Sequence, residues 1–575
     1  MNNLSKKYLI PITIALSSLS VYYLWKSTDV SCISYPNASY TYIIVGGGTA
    51  GCVLASRLSE NPHNRVLLIE AGGHINNFYS SIPSLFVFLQ KSKDDWSYDS
   101  TSQKWSSFGF KQKKQALARG KGLGGSGEIN CVIYNGIHRD TLNNNFSNFI
   151  RGCGPETCHY LDKLIPPQHC TTTRKPHFPL YLKRSSPKLG EVAKQAVEEL
   201  GDPSIRYHEA LSTIFKGERW STYRSHLIPA IGRPNLHILC NVEVVKIIFE
   251  NRKAIGLQYL DGTIYSEKEI IISAGSINTP KLLLASGVGN KTELDKLGIS
   301  TIANLPGVGL NLHDHFSMPI YVHIQAPLSV TMLKMLNLKE IFNYLVYREG
   351  LYASSPVMAI VKSRRSYNIM FAGSTPEEPF LSVSNYLPQT FRTLLPFSNS
   401  FSKEGMILLA GCRKPKSRGF VKLDVNKEVV VDPQYLQHED DVRCIQEGGY
   451  QTQMYLHKLH ISAVVLASKI VNSTAFQNIG ASIHLPEIEN CNYTRSFENE
   501  KYLECIIRTS AITSYHQAGT CAMGKHALAV VDDYFRVHNL KGLRVVDGSV
   551  IPKPLNNFPN TAVAVIAEYA ATLLT

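Results

Sequence analysis

Apolar and polar positions fall into a regular pattern from residue 40 onward. Tyr42–Val45 is an apolar run that predicts a buried strand, and three glycines end it. Apolar positions then recur with helical spacing over Thr49–Glu60, and Arg65–Ile69 predicts a second buried strand that ends at Glu70. Strand, glycine turn, helix and strand in this order predict the start of a doubly wound, Rossmann-like α/β sheet.

Further strands are predicted in the middle of the chain. Glu243–Phe249 and Ala254–Tyr259 are β runs joined by Asn251, Arg252 and Lys253, and Glu269–Ser273 is another strand. A helix is expected to start near Thr279 and Pro280.

Differences in composition and motif content divide the chain into two predicted domains. Residues 327–510 are rich in aromatic residues and turns and carry no glycine-rich nucleotide signal, whereas the last helix, 561–574, should return to the first domain. We therefore expect a nucleotide-binding domain of residues 40–326 and 511–575. Residues 327–510 are expected to form an inserted α+β substrate domain with an antiparallel sheet plus helices.

The N-terminus carries a single apolar run, from Tyr8 to Trp25, after Lys6 and Lys7. Its length is about the minimum for a membrane-spanning helix, and the basic flank predicts a cytosolic N-terminus with a translocated body. Residues 1–29 are therefore expected to be an uncleaved signal anchor, with a cleaved signal peptide as the close alternative. Either one predicts the secretory pathway, with a membrane-anchored lumenal or extracellular body, or a secreted one.

Cysteines and glycosylation sequons agree with an oxidising compartment. The chain has 12 cysteines. Cys153, Cys158 and Cys170 crowd one stretch, and Cys491 and Cys505 flank another, so these are candidate disulfide partners. The spacing of a possible zinc site at Cys153, Cys158, His159, His169 and Cys170 fits no closed zinc pattern, and no metal is predicted. Sequons occur at Asn37, Asn145, Asn290, Asn472 and Asn492.

Charge adds little to this picture. The formal net charge is +14, from 59 basic and 45 acidic residues, but the basic residues are scattered. Helix-turn-helix, zinc-finger and RNA-binding patterns are not found in the sequence, so nucleic acid is not an expected partner.

The first glycine turn has the spacing of a dinucleotide site. Gly46, Gly48 and Gly51 form G-x-G-x-x-G, which permits a tight turn, close approach of a pyrophosphate, and close packing of helix on strand. Glu70 follows the second strand at the position that accepts hydrogen bonds from a ribose hydroxyl pair. This motif predicts a dinucleotide and argues against NADP, but it does not choose between FAD and NAD.

Two more glycine-rich stretches, Arg119–Tyr134 and Gly275–Gly289, bear on which cofactor is bound. Both resemble the signature motifs of the glucose–methanol–choline (GMC) oxidoreductases, and the second matches at every specified position. The resemblance runs through most of the chain from Tyr40 and is poor over 143–212. It implies FAD as cofactor, a small-molecule alcohol as substrate, and an unknown electron acceptor.

The resemblance also implies cofactor residues. Some relatives attach FAD through a His at the place that Ile129 occupies here, so noncovalent FAD is expected. The residues expected to bind it are Gly46, Gly48, Thr49, Ala50, Gly51, Glu70, Gly122, Gly125, Asn130, Val244, Asp547, Gly548 and Asn560.

His516 is the candidate base for alcohol oxidation. The stretch Ser514–Gly524 resembles the segment that carries the family's catalytic base, and a histidine pKa near neutrality suits the role. The family's second active-site His or Asn aligns with Phe558, which cannot form the needed hydrogen bond; a one-residue shift selects Asn557. Asn560, at the helix start, is expected to approach the flavin. His313 and His315 are expected to be structural.

Three functions remain open on these residues. The first is FAD-dependent oxidation of a small alcohol by hydride transfer to the flavin. The second is a flavin-containing cyanohydrin lyase, an activity of some relatives. The third is a flavin-binding secretory protein with weakened catalysis, suggested by Phe558 and the divergent 143–212 stretch.

Overall fold

A computed structural model describes Ser17 and residues 31–36, 39–75, 77–134, 181–184, 188–373, 377–396, 400–446, 462–556 and 558–574. The expected N-terminal segment, apart from Ser17, and the cysteines at 153, 158 and 170 lie outside these residues. So do the sequon asparagines Asn37 and Asn145. Among the described helices, none combines the length and the apolar character that crossing a bilayer requires.

The first sheet has a parallel centre and an antiparallel wing. Its centre is buried on both faces, which explains the continuous apolar runs of its strands. In spatial order its strands are Leu236–Leu239, Val66–Ile69, Ser39–Val45, Gly262–Ile272, Lys253–Tyr259 and Val244–Glu250, with Leu543–Val545 also pairing to Gly262–Ile272. The doubly wound α/β class is confirmed. The predicted strands are present, although the one predicted over Glu269–Ser273 is only the end of the longer strand Gly262–Ile272.

The wing hairpin turns more tightly than the three-residue link predicted. Val244–Glu250 and Lys253–Tyr259 leave only Asn251 and Arg252 between them, with φ of 48° and 61°. Two successive left-handed residues match the right-handed twist of the flanking strands. Lys253 therefore belongs to the second strand.

The second sheet is antiparallel throughout. Its strands, in spatial order, are Ser482–Ile483, Phe316–His323, Gly405–Cys412, Ser366–Phe371, Val357–Lys362 and Arg206–Glu209, with Ile512–Thr513 also pairing to Phe316–His323. Arg206–Glu209 and Phe316–His323 precede residue 327, and Ile512–Thr513 follows residue 510. The domain boundaries at these positions stay a prediction.

Short strands and helices complete the described fold. The remaining strands are Tyr98–Asp99, Ala116–Leu117, Ile133–Tyr134, Leu182–Arg184, Leu211–Phe215, Glu218–Arg219, Val288–Gly289, Ala303–Asn304, Leu310–Leu312, Gly419–Leu423 and Val429–Asp432. The α-helices are Thr49–Leu58, Asn77–Ser81, Ser126–Ile129, Lys188–Leu200, Ile228–Ala230, Gly275–Ala285, Lys291–Lys296, Met332–Met335, Leu338–Tyr347, Glu377–Ser384, Pro388–Leu394, Glu439–Gln446, Ala463–Val471, Thr474–Gln477, Glu500–Ser510 and Pro559–Thr572. Other helical turns span Pro83–Leu89, Lys111–Lys113, Tyr223–Leu227 and Gly548–Val550.

One helix begins earlier than the sequence predicts. It spans Gly275–Ala285 and contains Pro280, which was expected near its start. Proline lacks the N–H that would bond to the carbonyl of Ser276. The Thr520 hydroxyl instead donates to that carbonyl at 2.6 Å, so a partner 244 residues away satisfies it. Local sequence could not reveal this compensation, and the predicted start was wrong.

Disulfides join described cysteines in three pairs: Cys32–Cys240, Cys412–Cys444 and Cys491–Cys505. The last pair confirms the candidate partners at 491 and 505. Cys52 and Cys521 are buried and free. The first bond ties the chain just before the first strand to the end of Leu236–Leu239.

Candidate active site

A cavity of about 810 Å³ lies between the two sheets. One end is lined by the glycine turn around Gly46, and the other by His516 and apolar residues of the second sheet. Such a cavity has the volume of small-molecule and cofactor sites.

The first glycine turn is built without room for side chains. Gly46 has φ of 100°, in the left-handed region, and a Cβ on Gly51 would lie 1.9 Å from the Gly46 carbonyl oxygen. A Cβ on Gly48 would meet nothing closer than Gly125 Cα at 4.0 Å. Gly51 therefore packs helix on strand, whereas Gly48 faces the open cavity, where a phosphate can approach the backbone.

The second glycine loop is held by a buried arginine. Arg219 donates from Nη1 to Asn130 Oδ1 at 2.7 Å and from Nη2 to the Asn130 carbonyl at 2.6 Å. It also donates to carbonyls of Ser80 and Gly127. Asn130 is thereby fixed where it lines the cavity.

Two buried carboxylates shape the turns rather than stand free. Glu70 Oε2 accepts from the Gly47 amide at 2.7 Å, and Oε1 accepts from Gly72 at 3.0 Å. Asp547 accepts from the Gly275 amide, the Thr279 hydroxyl and the Ser549 amide. Burial raises the pKa of both carboxyls, and these hydrogen bonds oppose the rise. Asp547 Oδ2 already accepts two of these bonds, whereas the other three oxygens each accept one of them and keep capacity for a further donor, such as a ribose hydroxyl.

Three helices begin at the cavity wall: Thr49–Leu58, Gly275–Ala285 and Pro559–Thr572. Their N-terminal amides and dipoles favour negative charge in the cavity. Asn560 lies at the start of the last helix, and its Oδ1 accepts from the Thr49 hydroxyl at 2.9 Å. This bond joins the last helix to the first glycine turn.

Most residues expected to bind the cofactor line the cavity, and two do not. Gly51 and Gly122 lie behind the wall, where each would clash with backbone if it carried a Cβ. The others line it: Gly46, Gly48, Thr49, Ala50, Glu70, Gly125, Asn130, Val244, Asp547, Gly548 and Asn560.

These features fit FAD. The open space over Gly48 and the converging helix starts suit a pyrophosphate. Arg119, which also lines the cavity, has an Nε donor that is buried and has no partner among the described residues. Such a donor suits an acceptor-rich ligand. Ile129 lines the wall and offers no atom for a covalent bond to the flavin.

His516 is presented by a strained turn at the other end of the cavity. Tyr515 has φ of 61°, and the Arg119 Nη2 donates to its carbonyl at 2.5 Å. The backbone amide of His516 donates to Asp314 Oδ1 at 2.7 Å. Hydrogen bonds to Arg119 and Asp314 thus hold the turn in its strained conformation.

His315 fixes the tautomer of His516. Its Nε2 lies 3.2 Å from the carbonyl oxygen of Arg413 and 3.0 Å from that of Leu555. A carbonyl oxygen only accepts, so Nε2 of His315 carries a proton and, in the neutral ring, Nδ1 carries a lone pair. The Nδ1 atoms of His315 and His516 are 3.2 Å apart. His516 Nδ1 is therefore the donor, and its Nε2 holds the lone pair.

Both rings are held in the neutral form. Burial lowers the pKa of His516 well below its usual range, and the neighbouring His315 and Arg119 lower it further. Burial also lowers the pKa of His315, although Asp314 opposes the change.

Phe558 occupies the position beside His516. The two ring centroids are 4.5 Å apart, with planes inclined at 30°. Asn557, the alternative second catalytic residue, lies outside the described residues.

The sequence singled out His516 but not its partners. His315, which was expected to be structural, contacts His516 directly, and its role stays a prediction. Asp314 was not singled out, yet its Oδ2 accepts from the hydroxyls of Tyr435 and Thr513 and from the Gln517 amide. The His-Asp-His run from 313 to 315 was the available signal, but its partner lies 201 residues away.

The wall that faces His516 from the second sheet is apolar. Alternate residues of its strands point into the cavity, including Ile369, Phe371, Ile407 and Leu409. Phe380 and Leu394 add to the wall from two helices.

Comparison with known protein families gives one consistent result. Models described as GMC oxidoreductase match residues 40–317 and 415–567. Neither inactivation nor afterpotential protein G of Drosophila melanogaster is 34% identical over 570 residues, which cover 93% of this chain and 90% of that protein. Glucose dehydrogenase [FAD, quinone] of the same organism is 31% identical, covering 94% of this chain and 87% of that protein.

Solved structures share the fold. Pyridoxine 4-oxidase from Mesorbium loti superposes with a TM-score of 0.73 at 23% identity, covering 93% of this chain and 98% of that one.

Proposed function

Because the chain belongs to the GMC oxidoreductase family of FAD-dependent enzymes acting on CH–OH donors, we propose that it oxidises an alcohol with His516 as the base. The observation that carries this proposal is the His315–His516 contact at the cavity wall. It leaves His516 Nε2 as the unprotonated nitrogen.

The proton step follows from this tautomer. The substrate O–H bond breaks, and its proton goes to His516 Nε2. Bound FAD would supply the acceptor for the carbinol hydrogen and its electron pair, as the C–O single bond becomes C=O. The Nδ1–H of His516 continues to donate to His315, which holds the charged ring in place.

The cofactor would be held without a covalent bond by residues of the three helix starts and both glycine turns. Thr49, Asn130 and Asn560 would supply polar contacts, and the partnerless Nε of Arg119 would donate to an acceptor. Glu70 would accept from a ribose hydroxyl.

A His516→Ala variant tests the proposal. Flavin reduction by an alcohol without oxygen should slow by roughly 10²- to 10⁴-fold, the usual contribution of a general base. His438→Ala is the matched control, since this histidine is exposed and does not line the cavity. A near-normal rate in the first variant would refute the role of His516. Release of a carbonyl compound and cyanide from a cyanohydrin without flavin bleaching would favour the lyase.

A second candidate is a flavin-binding protein with weakened catalysis. Phe558 favours it, because its ring cannot hydrogen bond to a reacting oxygen beside His516. Bound flavin that no alcohol bleaches would select this candidate.

We also propose that the body folds in the secretory pathway. Support comes from the three disulfides and from the exposure of the sequon residues Asn472 and Asn492. Glycosidase digestion and alkaline extraction of expressing cells test this proposal together with the predicted anchor at residues 1–29. An unshifted mass with free thiols would contradict secretory folding.

A further inference from the structure

Gln517 follows His516 directly, and its buried side chain joins two charged residues. Its Oε1 accepts a hydrogen bond from Arg119 Nη2, and its Nε2 donates to Asp314 Oδ2 at 2.6 Å and to the Thr513 hydroxyl at 2.9 Å. Arg119 can only donate and an ionised Asp314 can only accept, so these partners fix which end of the amide points to which residue. One neutral side chain thus links a cation to a buried anion.

The cation and the anion bind opposite ends of one peptide group. Arg119 Nη2 also donates to the Tyr515 carbonyl at 2.5 Å, and Asp314 Oδ1 accepts from the His516 amide at 2.7 Å. This carbonyl and this amide belong to the same planar peptide unit, so holding both ends fixes the orientation of the unit. Gln517 closes the ring of hydrogen bonds, because it joins the two residues that hold the peptide. Arg119, Asp314 and Gln517 together are named the His516 frame.

The His516 frame holds a strained backbone. Tyr515 has φ of 61°, a conformation that a tyrosine adopts only where its surroundings enforce it. Among the described residues, the Arg119 guanidinium has two acceptors, the Tyr515 carbonyl and Gln517 Oε1, and forms no ion pair. Without Gln517, the peptide would be the only group that holds Arg119 in place, and Tyr515 would be free to relax.

We propose that Gln517 is a positioning residue for alcohol oxidation: by joining Arg119 to Asp314 it fixes the peptide before His516, so that the base meets the substrate hydroxyl in one orientation. The inference rests on the proposed function of His516, and its proton and electron balance is the same. The effect of Gln517 should appear in the reduction rate and not in alcohol binding, because protein partners occupy both polar ends of its side chain.

A Gln517→Leu variant removes both links and nearly keeps the size of the side chain. Benzyl alcohol, ethanol, glucose and choline are screened as probes on the wild-type protein, and the fastest one is used for all variants. In stopped flow without oxygen, the limiting rate of flavin reduction should fall roughly 10- to 100-fold, the effect of a misplaced reacting group, while the half-saturating probe concentration changes little. Gln446→Leu is the matched control and should keep the wild-type rate, since this buried glutamine bonds to the Glu500 carbonyl and does not line the cavity.

Hydrogen exchange followed by mass spectrometry tests the His516 frame without turnover. The fragment that contains the His516 amide should exchange roughly tenfold faster in Gln517→Leu than in the wild type, because the loosened frame opens more often. Gln446→Leu should leave the exchange of this fragment unchanged. Wild-type exchange in Gln517→Leu would overturn the frame.

A Gln517→Glu variant should restore the rate in a manner that depends on pH. A protonated glutamic acid can accept from Arg119 through its C=O and donate to Asp314 through its O–H, as the amide does. Two carboxyl groups this close hold one proton between them, which raises the pKa of the pair; Arg119 opposes the rise, and the Tyr435 hydroxyl also donates to Asp314. The variant should therefore reduce flavin at nearly the wild-type rate just above the acid limb of His516 and slow as the pH rises and the shared proton leaves. The wild type should have no such alkaline limb.

The outcomes distinguish this role from the proposed function. If none of the probes bleaches the bound flavin of the wild type, the proposed function fails, and the catalytic role of Gln517 fails with it. If a probe bleaches the flavin but Gln517→Leu has the wild-type rate, or Gln517→Glu follows the wild-type pH profile, only the role of Gln517 fails. In a His516→Ala background, Gln517→Leu should cause no further loss, and an equal loss in both backgrounds would contradict positioning through His516.

Discussion

Removal of His315 should slow the chemical step through its effect on His516. In His315→Leu, the Nδ1–H of His516 loses its acceptor, and among the described residues no other hydrogen bond fixes the neutral tautomer. The bond matters most once His516 has taken the substrate proton, because it then joins a charged donor to a neutral acceptor.

The magnitude follows from the kind of bond that is lost. A hydrogen bond to a charged group contributes about 1.5–3 kcal/mol, and each 1.36 kcal/mol of barrier is tenfold in rate. Flavin reduction in His315→Leu should therefore fall by roughly 10- to 150-fold. The assay is stopped-flow reduction without oxygen, with rates normalised to bound flavin.

A matched control lies two residues away. His313 is also buried, and its Nε2 donates to the Ile551 carbonyl at 3.0 Å, but His516 is not its partner. His313→Leu should therefore lower stability and leave the rate per flavin unchanged.

The double variant gives the decisive comparison. In a His516→Ala background, His315→Leu should cause no further loss, because His315 acts only through His516. An equal loss in both backgrounds, or a wild-type rate in His315→Leu, would refute the tautomer argument.

Three other outcomes follow from the site. Gly51→Ala should lower the free energy of unfolding by about 1–3 kcal/mol, since its Cβ meets a backbone oxygen. Gly48→Ala should fold but bind flavin more weakly, because its Cβ would project into the cavity. Thermal melts and flavin content distinguish the two effects. Acid precipitation should release all the yellow colour, because Ile129 cannot bond to flavin; colour retained in the pellet would contradict this. The reduction rate should stay on a plateau as pH falls through about 6.5, the ordinary histidine pKa, and drop only at the lowered pKa of His516. An acid limb near that ordinary value would mean that His516 is not the buried base.

Local patterns were sufficient for the parts of the fold that local chemistry determines. Strand Ser39–Val45, its glycine turn and helix Thr49–Leu58 were predicted within a few residues, because buried parallel strands and phosphate turns have strong signatures. The start at Gly275 was missed, because a distant hydroxyl satisfies the carbonyl that Pro280 leaves free. The wing turn was missed by one residue, since strand ends depend on pairing.

The candidate site was predictable only as far as motifs reach. His516 and the residues expected to bind the cofactor were predicted through a resemblance, and most of them line the cavity. The contact between His315 and His516, by contrast, joins residues 201 positions apart. Gly51 and Gly122 belong to the motifs but lie behind the cavity wall, which only packing reveals. The apolar wall is assembled from strands of the second sheet and from two helices, so no contiguous stretch of sequence could predict it.

Flavin content of the purified, folded chain tests most directly whether the glycine-lined cavity holds the cofactor. The cavity should hold one releasable FAD per chain and should take it up again when the protein freed of flavin is offered FAD. A folded, colourless protein that takes up none would contradict it, whatever His516 does.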